Sequence, residues 1–286
     1  MSQTSTNAAS ILRPEDIHSL IVEPVTRESV AFQVSTPVPT NSKDVRFPIL
    51  TDDPTAAWVD EGEELNVDDA EFDDLVVTPK KIAAITAVTS ELATDSSPEA
   101  QAVIGEALVR SLTAKIDSAF FGNTVAHGPY GLKSRSGVQL VLAGAAPENT
   151  DAFLEAISKA ETIGSQLTSW VTDPDTALYL AKLKKQDGSN EPLLTTDAAS
   201  PTGRLIAGVP LVVSPHVTPK AAPAPSIWGI PRARSFAVIR KDVTVDTDKS
   251  AFWTSDRIGV RAIARVAFGW PHEAALVEVR LATPGS

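Results

Sequence analysis

The run SPEAQAVIGEALVRSLTAKIDSAFFG, residues 97–122, reads as one uninterrupted helix. Ser97 is placed to cap it, Pro98 suits the first turn, Glu99 complements the positive end and Gly122 follows the last turn. Val103, Ile104, Ala107, Leu108, Leu112, Ile116, Ala119 and Phe120 recur at three-four spacing and predict a single buried stripe. At about 1.5 Å per residue the helix runs roughly 36 Å, the width of a small domain. The 286-residue chain, 43% hydrophobic and 21% charged, has ample material for a core against that stripe and for one large or two ordinary domains.

Around this helix the signals change along the chain. Residues 1 to about 29 read as an arm with at most a short helix, broken by Pro14 and Pro24. From Val30 to Ile49 the pattern predicts strand, through SVAFQVSTPVP and VRFPIL. DLVVTPKKIAAITAVTS is a second strand-rich stretch. Beyond the helix an α/β block follows. It has a helix near Asp151–Leu167 with Phe153, Leu154, Ile157, Ala160 and Ile163 on one face, a strand SWVT, and a helix after Asp173-Pro174 through ALYLAKLKK. RLIAGVPLVVS, SIWGI and SFAVIRK read as strands, with KAAPAPS as a loop. The last section is β. It includes a long strand with Ile258, Val260, Ala262, Ala264, Val266 and Phe268 on one face and Arg257, Arg261 and Arg265 on the other, and EAALVEVRL as a closing strand.

Between the first two strand-rich stretches lies DDPTAAWVDEGEELNVDDAEFDD, Asp52 to Asp74, with eleven acids in twenty-three residues and no Lys or Arg. The whole chain has 25 basic and 36 acidic residues, so outside this segment the balance is 25 to 25 and the segment carries the entire formal charge of −11. It lacks the Asp-X-Asp-X-Asp-Gly order of a calcium loop, and as catalytic carboxylates it has too many candidates and no partner base. A solvated loop is the plain reading. Trp58, Leu65 and Phe72, at intervals of seven, favour instead an arm that projects as a long hairpin and docks its apolar residues on another chain. The arginine row offers a complementary strip, so acids such as Asp60, Glu61, Glu63 and Glu64 of one copy are expected to meet Arg257, Arg261 and Arg265 of the next, setting register more than raw affinity.

Catalytic and metal signals are sought in turn. With no cysteine, disulfides, thiolate zinc sites and a cysteine nucleophile are excluded. GPYGLKSRSG, from Gly128, misses phosphate-loop spacing because Leu132 precedes Lys133, and reads as a turn. His18, His127, His216 and His272 are far apart and read as ordinary loop or surface residues. The expectation is a chain with no enzymatic role, catalytic set, metal or cofactor. The start MSQTSTNAASILRPED has no secretory pattern, and the longest apolar-looking run, LIAGVPLVVSPHVTP, is short and holds three prolines, so a soluble cytoplasmic protein is expected. The acidic total argues against tight binding to nucleic-acid phosphate but not against enclosing nucleic acid at a distance.

In order and spacing, AAWVDEGEEL, TSELATDSSPE, KIDSAFFG, PYGL, SWVTDPDTALYLAKLKKQDGSNEPLL, RLIAGVPLVVSPHV, WGIPRARSFAVIRKDVTV and FWTSDRIGVRAIARVAFGWPHEAALVEV resemble the major capsid protein family of tailed bacteriophages, of Hong Kong 97-type fold, over roughly residues 30–280. The resemblance implies an α+β fold with an N-terminal arm (1–29), an extended β-hairpin loop (45–80), and a peripheral domain (30–44, 81–130 and 242–270) holding the long spine helix. It also implies an axial α/β domain (131–241), to which 271–286 return. The acidic segment falls on the extended loop, which in this family lies across an adjacent subunit. The implied function is structural, self-assembly into pentamers and hexamers of an icosahedral phage head around double-stranded DNA, built in the host bacterial cytoplasm. An encapsulin-like compartment holding a protein cargo is the alternative. Two departures qualify the resemblance. The chain begins almost directly with its arm, so a separate scaffolding protein is expected beside a portal. No Asn follows Asn190, so a covalent Lys–Asn cross-link is not expected, and non-covalent contacts or a decoration protein should stabilise the shell.

Overall fold

The computed structural model describes residues 23–52, 58, 62, 71–89, 98–144, 149–184, 194, 204–217, 225–240, 244–248, 250 and 252–281. The long helix is present as α3, Pro98–Phe121, after two short helices α1, Glu23–Glu28, and α2, Val30–Val34. Its buried side includes Leu108, Val109, Leu112, Ile116, Ala119, Phe120 and Phe121. Ala107 is exposed, contrary to the expected stripe. The buried face is centred between the Leu108–Leu112–Ile116 and Val109–Phe120 rows, and one residue further back turns about 100° away. Ser97, and the side chains of Pro98, Glu99, Val103 and Ile104, lie outside what is described.

Along α3 lies a five-stranded sheet built on the 13-residue strand β12, Arg257–Gly269. One edge of β12 pairs antiparallel with β4, Lys80–Thr89, from Val266↔Lys80 to Arg257↔Thr89. The other edge is shared end to end by β10, Phe236–Arg240, and β11, Thr244–Asp248. The remaining edge of β10 carries β1, Thr36–Thr40, in parallel. Leu108, Leu112, Ile116 and Phe120 share one core cluster with Ala262, Val266 and Phe268, so the predicted apolar face of β12 is the one that meets the helix. At the far end Phe120 packs edge-on to Phe268 at 4.9 Å and to Trp270 at 5.4 Å.

A six-stranded sheet forms the second layer, in the order β5-β13-β9-β6-β8-β7. These are β5 (Gln139–Ala143), β13 (Val277–Leu281), β9 (Ser226–Ile230), β6 (Ser169–Thr172), β8 (Val209–Val213) and β7 (Leu205–Ile206). One face is covered by α4, Asp151–Thr162, and α5, Pro174–Lys182, through Phe153, Ala156, Ala160, Ala177 and Leu180 against Val141, Trp170, Ile227 and Val279. α5 begins after Asp173-Pro174 as expected, and Asp173 caps it, its carboxylate accepting from the Thr176 amide at 3.0 Å. Leu154 on α4 and Ile163 just past its end are exposed rather than buried, because Phe153, Ala156 and Ala160 form the side that sits on the sheet. The opposite face, with Val171, Trp228 and Ile230, joins the core of α3. Three stretches carry the chain from one sheet to the other: 122–138, 231–235 and 270–276.

A further local expectation is overturned. Residues 30–34 form helix α2 rather than strand, with Val30, Ala31, Phe32 and Val34 all buried. Alternation cannot decide a segment with apolar residues at successive positions, and here tertiary contacts favour the helix. The buried Asp117 of α3 accepts from the amides of Val30 at 3.2 Å and Ala31 at 3.0 Å and from the Ser29 hydroxyl at 2.6 Å, supplying the acceptor that the start of a helix lacks.

Candidate subunit interface

The strand signals on either side of the acidic segment do not simply pair with each other. β2, Val45–Asp52, pairs antiparallel with β3, Glu71–Val77, as a two-stranded hairpin, while β4 continues into the five-stranded sheet instead. Alternation gives the hairpin two faces. Val45, Phe47, Leu75 and Val77 turn towards Val238 and Ala267 of the sheet, and Phe47 stacks on Phe236 at 4.7 Å. Gly269 makes this approach possible, since a Cβ there would meet the Phe47 ring at 3.1 Å and Val77 at 3.2 Å. The other face carries Arg46, Pro48, Phe72, Asp74 and Val76, all exposed. Phe72 is 74% exposed and Val76 is also uncovered, and on this face the Arg46–Asp74 ion pair at 3.5 Å links the two strands. Trp58 is fully exposed. Asp60, Glu61, Glu63, Glu64 and Leu65 lie outside the described residues.

The arginine row occupies the face of β12 turned away from α3. Arg257 and Arg261 are exposed and Arg265 is half-buried. This is the face that, further along the strand, carries Ala267 and Gly269 under the chain's own hairpin base. Beside the arginines on β4 stand Lys81 (opposite Arg265), Ile85 (opposite Arg261) and Thr89 (opposite Arg257). Ile85 is 66% exposed and was not singled out from the sequence, although in KKIAAITAVT it is the one large apolar residue out of step with Ile82, Ala84 and Val88.

Asp117 is the other residue sequence reasoning missed. It is 2% exposed, and its carboxylate ties α3 to the segment entering α2. Burial pushes its carboxyl above the ordinary aspartate range, outweighing the hydrogen bonds from Ser29, Ala31 and Val30 and the nearby His216, which pull it down. The available signal was an acid beside Ile116 on the apolar side of the helix. A second polar junction clamps two of the sheet crossings. The Arg135 guanidinium lies 5.3 Å from the Trp270 ring and 5.7 Å from that of Tyr130, and pairs with Glu273 at 3.5 Å. The Glu273 carboxylate also accepts from the Gly137 amide at 3.0 Å. Among the described residues, no group of three His, Asp or Glu could hold a metal ion, and no helix is long and apolar enough to cross a membrane.

The model of the phage capsid family matches residues 9–280. The chain belongs to the phage capsid family. Among curated relatives, the major capsid protein of Klebsiella oxytoca phage phiKO2 is 22% identical over 135 residues, covering 46% of this chain and 32% of that protein. The capsid polyprotein of Pseudomonas phage PAJU2 is 25% identical over 173 residues, covering 58% of this chain and 25% of that one. The chain thus spans about a third and a quarter of the curated relatives it matches. Among solved structures, the capsid of a native GTA particle superposes with a TM-score of 0.68 at 18% identity, covering 99% of this chain and 95% of that one. A structure from Microbacterium phage Oxtober96 superposes with a TM-score of 0.70 at 18% identity, covering 88% and 90%. The phage-capsid fold is therefore shared over nearly the whole chain, and it is an α+β fold related to the Hong Kong 97 type.

Proposed function

We propose that this chain is the shell subunit of a tailed phage or phage-like particle, assembling with its own copies into pentamers and hexamers of an icosahedral shell that encloses double-stranded DNA. The observation that carries this, beyond family membership, is the hairpin. Its outward face exposes Phe72 and Val76, and Trp58 is exposed beyond its ladder, an arrangement suited to covering by a neighbour. In this reading β2, β3 and the acidic segment are the extended loop (45–80), and residues 1–29 are the N-terminal arm. α3 is the spine helix of a peripheral domain made of the five-stranded sheet. The six-stranded sheet with α4 and α5 is the axial domain, near 131–241, with 271–286 returning to it. Because β10 pairs within the five-stranded sheet, we draw the passage out of the axial domain at 231–235.

Trp58 and Phe72 serve as apolar anchors on an adjacent subunit, and acids of the same loop, among them Asp60, Glu61, Glu63 and Glu64 with Leu65 between, meet Arg257, Arg261 and Arg265 there. The formal charge of −11 suits enclosure of DNA without sequence-specific binding. A scaffolding protein, a portal and a decoration protein are the further partners this role implies, with assembly in the bacterial host and the finished subunit in the virion.

The test is sedimentation and negative-stain microscopy of the chain expressed alone, then with candidate scaffolding protein. Closed shells or rings of five and six support the proposal. Nuclease-protected DNA in particles from infected cells supports a phage head, whereas a protein cargo would establish a compartment shell instead. A monomer that persists with every candidate scaffold refutes the shell role.

A further inference from the structure

Of the strands at the margins of the five-stranded sheet, β4 is the least guarded. β1 carries Pro37 and Pro39, and β11 carries Asp246 and Asp248. Proline and charge are ordinary means of keeping a foreign strand off an edge. β4 has β12 on one side, in ten consecutive pairs without a bulge. Among the described residues no strand pairs with its other side. From Ile82 to Val88 it has no proline, glycine or charged residue, so the N–H and C=O groups along that margin form a template for another strand. Apolar groups flank the margin on both faces of the sheet. Ala83, Ile85 and Ala87 are exposed on the side away from α3, Ile85 to 66%. On the helix side Ile82 and Ala84 are only partly buried against the core. The exposed surface of α3 includes the small residues Ala107, Ser111 and Ser118, which permit a second helix at the about 8–10 Å of ordinary helix packing.

We propose that β4 of a second copy pairs antiparallel with this edge, about a two-fold axis at Ile85, joining the two five-stranded sheets into one. The occupant is a second copy because the strand is complementary to itself. Residues directly opposite in an antiparallel pair share a face. Centring on Ile85 sets it against the partner's Ile85, Ala83 against the partner's Ala87, Ala84 against the partner's Thr86 and Ile82 against the partner's Val88. Every apolar side chain of the stretch then meets a side chain without charge. Lys80 and Lys81 fall at opposite ends of the pair, whereas parallel pairing in register would set them side by side. Centring on Ala84 would bring Val88 against the partner's Lys80, and centring on Thr86 would carry Ile82 past the end of the partner strand. Such a contact is isologous and closes with two subunits. The inference rests on the shell-subunit reading above and adds to it a pairwise contact made by the sheet itself rather than by the hairpin.

The cysteine-free sequence makes single thiols informative. Oxidised I85C particles, run on a non-reducing gel, should give linked dimers and nothing larger, because opposed residues lie within the about 7 Å between Cα atoms that a disulfide needs. A83C and A87C each stand four residues from their own counterparts, about 13 Å along the strand, and alone should give no dimer. Co-assembled, A83C chains should link to A87C chains. A second test needs no oxidation. I85K sets two ammonium groups directly opposite one another and should abolish particles, while at so exposed a position the melting temperature of the free subunit stays unchanged. No dimer or a longer ladder from I85C, dimers from A83C alone, or I85K particles in the parent's yield overturns the pairing while the shell reading stands. If the unaltered chain forms no particles even with scaffold, it is the shell reading that fails, and the inference with it.

Discussion

Replacing Asp117 by Ala isolates what holds the segment before β1 on the long helix. The carboxylate accepts from the Ser29 hydroxyl at 2.6 Å and the Ala31 and Val30 amides at 3.0 and 3.2 Å, and Asp117, Ser29 and Ala31 are each at most 2% exposed. Each buried donor left without an acceptor costs about 1–3 kcal/mol. The Ser29 hydroxyl can rotate and the start of α2 can readjust, so for three neutral donors we expect a total loss of about 3–5 kcal/mol, towards the low end of the summed cost. Urea unfolding of the free subunit measures this, with hydrogen exchange showing the loss concentrated at residues 23–35. Asp117→Asn keeps one acceptor oxygen and should cost less. The sign of the pH effect follows from the raised carboxyl. The folded chain takes up this proton at higher pH than the unfolded chain does. The group's contribution to stability is therefore full below the ordinary aspartate range and is lost as pH rises through the higher folded value. The Asn variant should be flatter across that window. An Ala variant within about 1 kcal/mol of the parent, or one with unchanged exchange at 23–35, would refute the reasoning, since a buried acceptor of three bonds cannot be removed so cheaply.

Four further outcomes follow from the same geometry. Gly131→Ala sets a Cβ against the carbonyl oxygens of Ala119 and Gly122 at the end of α3, and backbone cannot yield as a side chain can. A loss of about 2–3 kcal/mol in thermal or urea unfolding is expected. Phe72→Ala, at a position 74% exposed, should change subunit stability by no more than about 0.5 kcal/mol yet impair assembly in a sedimentation assay; a large change in stability alone would place Phe72 in the subunit core. Arg135→Ala removes both ring contacts and the Glu273 pair and should cost about 1–2 kcal/mol, with Lys only partly restoring it because an ammonium lacks the planar stack. Trp170→Ala empties a fully buried site whose indole donates to the Ile206 carbonyl at 3.1 Å. It should cost about 3–5 kcal/mol.

Elements whose signal is local were legible in the sequence. α3 has both its length and a Gly at its end, α5 has an Asp-Pro start, and the apolar face of β12 alternates cleanly over a dozen residues. What was illegible is long-range. β10 follows β9 after five residues yet joins the other sheet, and β1 finds its partner in β10, with Thr36 beside Phe236. No local pattern encodes those choices, because they depend on which edges remain free once α3 has taken its face. Residues 30–34 show the same limit at short range, where the decisive hydrogen bonds come from Asp117 on another element. β5 went unnoticed because its outward residues, Leu140 and Leu142, are apolar and exposed, erasing the alternation of a half-buried strand. Of the proposed interface, Trp58, Phe72 and the arginines were visible as chemistry. That Ile85 lies beside Arg261, and that the arginine face continues from the hairpin's own seat, required the fold.

The central claim is that the hairpin serves a neighbouring copy. A cryo-electron microscopy map of the assembled particle tests it most directly. The account predicts density for the acidic loop of one subunit lying over Arg257, Arg261 and Arg265 of the next, with Trp58 and Phe72 covered. A particle in which that segment folds back onto its own subunit, or extends into solvent with those arginines uncovered, would contradict it.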